Sequence, residues 1–218
     1  MSENNKMMSL FQMIEMIEKI FWLGHSSIRI EGEQVIYIDP WKVTGEPKAD
    51  LILVSHDHHD HFSLQDIGKL QKEKTIVVGP PDCMAQIKGD VRTMRPGDTI
   101  TIGDIIIEAV PSYTPQKPFH PQANQWLGFI LDLGGTRIYY AGDTDFIPEM
   151  KDIKADIVII PVGGTYTMSA EEAARAVELI QPQLAIPIHC GDIVGVMDDA
   201  RRFKKLAKVP VEIKPVTK

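Results

Sequence analysis

The chain is poor in cysteine, in clustered basic charge and in long apolar runs, and each shortage excludes a class of protein. Cys83 and Cys190 are the two cysteines of 218 residues. They are too few for a disulfide scaffold and suit a reducing cytosol. No apolar run approaches the roughly 20 residues that span a bilayer. The first residues lack a basic segment followed by a continuous apolar stretch, so no secretory signal is expected. The expected location is cytoplasmic, with no membrane partner. Lys and Arg number 23 against 30 Asp and Glu, a formal charge of −7. The densest basic cluster, Arg201, Arg202, Lys204 and Lys205, reads as the solvated face of a C-terminal helix. Nucleic acid is not an expected partner, because its binding rests on neutralising phosphates.

What remains is ordinary globular material, 44% hydrophobic and 24% charged, long enough for one domain or two intimately packed halves. Residues 1–19 carry Met7, Leu10, Phe11, Ile14 and Ile17 at helical spacing. This N-terminal helical extension is expected to pack on the domain or against a second copy of the chain. Its Glu15 and Glu18 weigh against a membrane-surface helix.

From residue 20 the pattern is of strands. Residues 20–23, 27–30, 35–38, 51–54 and 75–78 form the first set, with a helix from Ser63 to about Lys72 opened by a short capping box at Ser63 and Asp66. Residues 99–102, 105–110, 127–133, 136–141, 157–162 and 184–188 form the second, with Gly134-Gly135 as a hairpin turn. A capped helix follows Ser169, another begins near Asp198, and a last strand is expected at 209–213. Two strand-rich halves with interspersed helices predict an α/β fold, a four-layer αββα sandwich.

Four of the seven histidines lie in one window, His56-Asp57-His58-His59-Asp60-His61, directly after the apolar strand 51–54. Imidazole and carboxylate together suit zinc, manganese or iron. A short turn at a strand end can aim His56 and His58 at one metal and Asp60 and His61 at another.

H-x-H-x-D-H at His56, His58, Asp60 and His61 resembles the signature of the metallo-β-lactamase superfamily, and residues 20–218 follow it in order and spacing. The resemblance implies that Asp143, in Gly142-Asp143-Thr144-Asp145, lies between two metals, and that His189 serves the second. WLGHSSIRIEG at 22–32, with Tyr37-Ile38-Asp39-Pro40, resembles the branch containing L-ascorbate-6-phosphate lactonase and uncharacterised bacterial relatives. The superfamily usually takes a third histidine for the first metal from just beyond a strand like 105–110. Here Pro111-Ser112-Tyr113-Thr114 stands there, which leaves His120 as the expected ligand and His25, water or substrate as alternatives.

Around these, His59, at the free position of the motif, is expected to stand behind a ligand or to face solvent. Asp39 either orients a ligand imidazole or caps a strand end. Cys190 follows His189 and so should point to the opposite face. Gly163-Gly164 with Tyr166 and Thr167 can form a pocket wall, and Trp41 and Trp126 read as packing residues, with a place for one of them at the pocket rim. The implied cofactors are two divalent ions, zinc first and manganese or iron next. The implied chemistry is hydrolysis of an ester, lactone or phosphodiester by a metal-bound hydroxide, with Asp60 and Asp143 as the catalytic carboxylates. The substrate is a small molecule. Di-iron redox chemistry and a non-catalytic metal-binding module are the alternatives. The former usually comes with a fused flavin domain, for which residues 190–218 leave no room.

Overall fold

The computed structural model describes residues 13–217. Twelve strands form two six-stranded sheets. The first contains β1 (Ile20–Gly24), β2 (Ser27–Glu31), β3 (Val35–Ile38), β4 (Leu51–Leu53), β5 (Ile76–Gly79) and β6 (Asp90–Thr93), paired in that order. The second contains β7 (Thr99–Ile102), β8 (Ile105–Pro111), β9 (Leu127–Leu133), β10 (Thr136–Tyr140), β11 (Ile157–Pro161) and β12 (Leu184–Ile188), again paired in sequence. Helices α1 (Leu64–Leu70), α2 (Pro81–Met84), α3 (Ala170–Ile180) and α4 (Met197–Leu206) cover the outer faces.

The two-residue period of the strands sorts the layers. Ile36 and Ile38 of β3, Leu51 and Leu53 of β4 and Val78 of β5 join the main core with Phe129, Leu131 and Ile138. The intervening Tyr37, Ile52 and Val77 turn the other way, onto Ile67, Leu70, Cys83 and Met84 of α1 and α2. Parallel strands buried on both faces read as unbroken apolar runs, which is why β4, β11 and β12 are buried at every position. Between β9 and β10, Gly134 and Gly135 have φ of +63° and +90°, the conformation a two-residue hairpin turn requires.

Several local expectations are corrected. Residues 209–213 form no strand; β12 pairs with them only at an isolated bridge between Ala185 and Val211. Pro210 has no N–H to extend the ladder. Ser63 Oγ does accept from Asp66 N at 3.2 Å, but the Asp66 carboxylate binds Lys42 N and Lys69 Nζ instead of closing the box. Consequently α1 is capped on one side only. At α3 the box closes, with Ser169 N to Glu172 Oε2 at 2.8 Å and Glu172 N to Ser169 Oγ at 3.3 Å. The expected list also omitted β6 and α2. Of the N-terminal extension, residues 13–18 are helical. Met13 is buried, with Met16 and Ile17 against the core, whereas Ile14 is exposed; Met7, Leu10 and Phe11 lie outside the described residues. No described helix is long and apolar enough to cross a membrane.

Candidate metal centre

The centre sits where strand ends of both sheets converge. Past β4 the chain folds into a tight turn, with His61 N and Phe62 N both donating to His58 O at 2.9 and 2.7 Å. That turn splits the histidine run into two groups. His56 and His58 meet His120, and the ligand-type atoms of these three lie within 4.8 Å of one another. Asp60 and His61 meet His189 and His25, again within 4.8 Å. Between the groups stands Asp143, from the loop after β10. Its Oδ2 lies 3.0 Å from His189 Nε2, 3.3 Å from His120 Nε2 and 3.4 Å from His61 Nε2. All seven residues singled out as candidate ligands are thus in one place.

His120 reaches the first group on a long loop, pinned by Thr114 N to His120 O at 2.9 Å and Thr114 Oγ1 to Lys117 O at 3.1 Å. His25 is an eighth member, and it belongs to the second group rather than replacing His120 in the first. It occupies the β1–β2 turn, where Gly24 and His25 have φ of +108° and +48°. Its Nε2 is 2.8 Å from Asp60 Oδ2. Its carbonyl accepts from His189 N at 2.9 Å and from Trp22 Nε1 at 2.8 Å, tying β1 to the end of β12. A histidine directly after a left-handed glycine at a strand turn was the available signal. His59 is exposed, and Cys190 is buried and belongs to neither group.

Do these residues fit metal ions? Both ring nitrogens of His25 and His120, together with His61 Nε2, His189 Nδ1 and Asp143 Oδ1, are buried without a hydrogen-bond partner. His25 Nε2 is near Asp60 but not aligned with it as a donor. Buried polar atoms left unpaired are costly, and the Nε2 atoms of His25, His61 and His120, which face the Asp60 and Asp143 carboxylates, are what cations would satisfy. Protonation pulls in opposite directions across the centre. Burial, reinforced by neighbouring imidazoles, holds His56 well below the ordinary histidine range. Burial opposes a proton on His61 as well, but the Asp143 and Asp39 carboxylates outweigh it and raise its pKa. Burial would raise Asp143, yet His189 and His61 hold it well below the carboxylate range.

A further carboxylate outside the two groups sets their orientation. Asp39 takes Ser55 N at 2.7 Å on Oδ1, and His61 Nδ1 at 2.8 Å and Tyr140 Oη at 2.7 Å on Oδ2, with Ser55 Oγ also donating to Oδ2. Ser55 Oγ in turn lies 2.8 Å from His56 Nδ1. Although Asp39 also lies within ligand range of His56 and His61, its oxygens are already engaged by these donors. It thereby holds the His61 ring in place, while its backbone ends a strand.

Trp126 packs, as expected, and it does so against the first group. Its ring lies 5.0 Å from His56 and from His58, centroid to centroid, and Nε1 donates to Asp82 Oδ2 at 3.0 Å. The mouth is a cavity of about 180 Å³ with His58, Asp60, His120, Asp143 and His189 at its base and Phe119, Tyr166, Ile193 and Val194 around it. A larger cavity of about 590 Å³ lies behind His25, between Trp22, Arg29, Lys42 and Cys190. It does not touch Asp143 or His120, so the smaller one is the opening onto the chemistry.

Two facing sheets with a histidine–carboxylate centre at their converging ends are the architecture of the metallo-β-lactamase fold. Residues 19–189 match the family model of the beta-lactamase superfamily domain. The chain is 34% identical over 215 residues to a UPF0173 metal-dependent hydrolase of Archaeoglobus fulgidus, covering 87% of this chain and 90% of that protein. It superposes on a crystal structure from Parabacteroides distasonis with a TM-score of 0.81 at 33% identity, over 91% and 93% of the two chains. The metallo hydrolase Igni18 of Ignicoccus hospitalis shares the fold, with a TM-score of 0.75 at 22% identity over 91% and 95%. The chain belongs to the UPF0173 metal-dependent hydrolase family of the β-lactamase superfamily.

Proposed function

We propose that this chain is a hydrolase that holds two divalent ions, zinc first and manganese or iron next, and cleaves an ester, lactone or phosphodiester of a small molecule. The observation that carries the reading is the position of Asp143 Oδ2, within 3.4 Å of imidazole nitrogens from both ligand groups. His56, His58 and His120 would hold the first ion, and His25, Asp60, His61 and His189 the second, with Asp143 shared. When bound, the ions supply acidified water at neutral pH and a Lewis acid for the oxygen under attack. Asp39 keeps a proton on His61 Nδ1 and Ser55 Oγ accepts a hydrogen bond from His56 Nδ1–H, so that the Nε2 atom of each ring is free to bind. Asp60 and Asp143, both at the base of the mouth, are the carboxylates that take a proton from water and return it to the leaving group. Trp126, packed on His56 and His58, keeps bulk water from the buried side.

The test is elemental analysis of the purified protein and of Asp143→Ala, with turnover measured on a panel of lactones, acyl esters and phosphodiesters. Two ions per chain in the parent, and loss of both metal and turnover in the variant, are expected. Unchanged turnover and unchanged metal content in Asp143→Ala would sink the reading.

A further inference from the structure

Charge and size at the mouth narrow the substrate further. Among the described residues lining it, none is Lys or Arg. The nearby Lys117 is already committed: it binds Asp145 and donates to Thr167 O at 2.8 Å. Lys42 likewise lies over the Trp41 ring and pairs with Asp192 at 3.2 Å. What the mouth presents instead is apolar. Phe119 and Ile193 are each 43% exposed, and Phe119 meets Tyr166 edge-to-face at 4.6 Å. Large side chains left exposed together beside a reactive centre mark a binding surface. A peripheral charge of the substrate would be desolvated against this rim without a partner, which is unfavourable.

The volume sets a scale as well. A cavity of about 150 Å³ holds one benzene ring, and drug-sized pockets begin at about 300 Å³. At about 180 Å³ the mouth fits one ring or a short chain beside the scissile group. Tyr166 is the only hydroxyl among the described lining residues, a neutral donor suited to a carbonyl or ester oxygen.

Resting on the hydrolase reading above, we infer that the substrate is a compact, uncharged carboxylic ester or lactone whose apolar part seats on Phe119, Tyr166 and Ile193. A second, peripheral charge and a long acyl chain are disfavoured. The experiment compares p-nitrophenyl acetate, butyrate and decanoate with mono(p-nitrophenyl) succinate, which carries a peripheral carboxylate, using protein assayed to hold two ions per chain. From acetate to butyrate kcat/KM should rise about tenfold, the effect of two buried methylenes, and decanoate should gain nothing more. Phe119→Ala, and separately Ile193→Ser, should erase the butyrate advantage chiefly through KM. In ligand-observed NMR on metal-free protein, butyramide should bind the parent and lose binding in Phe119→Ala.

A rate on the charged succinate ester equal to or above that of butyrate would overturn the inference and leave the hydrolase reading standing. So would kcat/KM that climbs through decanoate, or butyramide binding that is indifferent to Phe119. No turnover of any ester, lactone or phosphodiester by fully loaded protein would overturn both.

Discussion

At the end of β3, Asp39 sits at a φ of +47°, a left-handed conformation that Asp tolerates better than most residues. That backbone turn is what lets one carboxylate receive Ser55, His61 and Tyr140 together. In Asp39→Asn the amide keeps one acceptor and sets an NH2 against donors. A 10–100-fold loss of affinity for one of the two ions is the expected result, the usual effect of losing a partner behind a metal-bound histidine. Competition against a chromophoric chelator measures it; a variant that matched the parent in both affinities would show that Asp39 is only a strand-end residue. The two cysteines give a second prediction at this scale. Burial pushes the Cys190 thiol up to about 12 and the Cys83 thiol higher still. Both folded values exceed the unfolded one, so the stability involved is fully present below about pH 8.5 and is lost as pH rises toward the folded values. The slope is at most about 1.4 kcal/mol per pH unit for each thiol. Urea midpoints between pH 8 and 10 should therefore fall, and Cys83→Ala should flatten that fall. An unchanged slope would show that the Cys83 thiol does not contribute.

At the scale of elements, β11 and β12 run side by side, and the segments that leave them cross at Gly163 and His189. A Cβ on Gly163 would lie 2.3 Å from His189 O, a backbone atom that cannot yield as a side chain end would. His189 itself has a φ of +57°, so the ring is aimed by a backbone with little freedom. Gly163→Ala should cost about 1–3 kcal/mol in stability, the range for overpacking, and also weaken the second ion's site. Thermal melts with and without added zinc read both effects, and a variant equal to the parent in each would refute the close packing. Strands β3, β9 and β12 have the bounds that apolar periodicity predicts, because each is deeply buried, β12 even though it lies at its sheet's edge. Edge strand β6, Asp90–Thr93, has no buried residue and is made by backbone pairing with β5 alone, which leaves no trace in hydropathy. Residues 209–213 show the converse, a strand-like pattern that acquires only one bridge. The same contrast runs through the site. The His56–His61 run is legible because one turn holds it, and Asp143 and His189 because each follows an apolar strand. His120 depends on the path of the loop from Ser112 to Gln125, which no spacing rule specifies. His25 is a single histidine in a two-residue turn, and only the meeting of β1 with β12 gives it neighbours.

Across the whole molecule, the candidate ligands come from opposite sheets. His25, His56, His58, Asp60 and His61 follow strands of the first, and His120, Asp143 and His189 follow strands of the second. Ions bound among them would cross-link the two sheets at one end of the sandwich, where both contribute buried polar atoms that the core leaves unpaired. An ion that binds only the folded chain adds about 2.7 kcal/mol when its concentration is 100 times its dissociation constant. For a domain of this size each kcal/mol moves the midpoint by about 2–4 °C. With two ions bound as proposed, a chelator should then lower Tm by about 10 °C or more, and zinc or manganese should restore it. His25→Ala separates the two sites, since it removes a ligand-type residue from the second group only. Its chelator-sensitive part of Tm should shrink without vanishing. A His25→Ala protein that kept the full shift would remove His25 from the centre, and a parent protein indifferent to chelation would mean that the sandwich is held by its apolar layers alone.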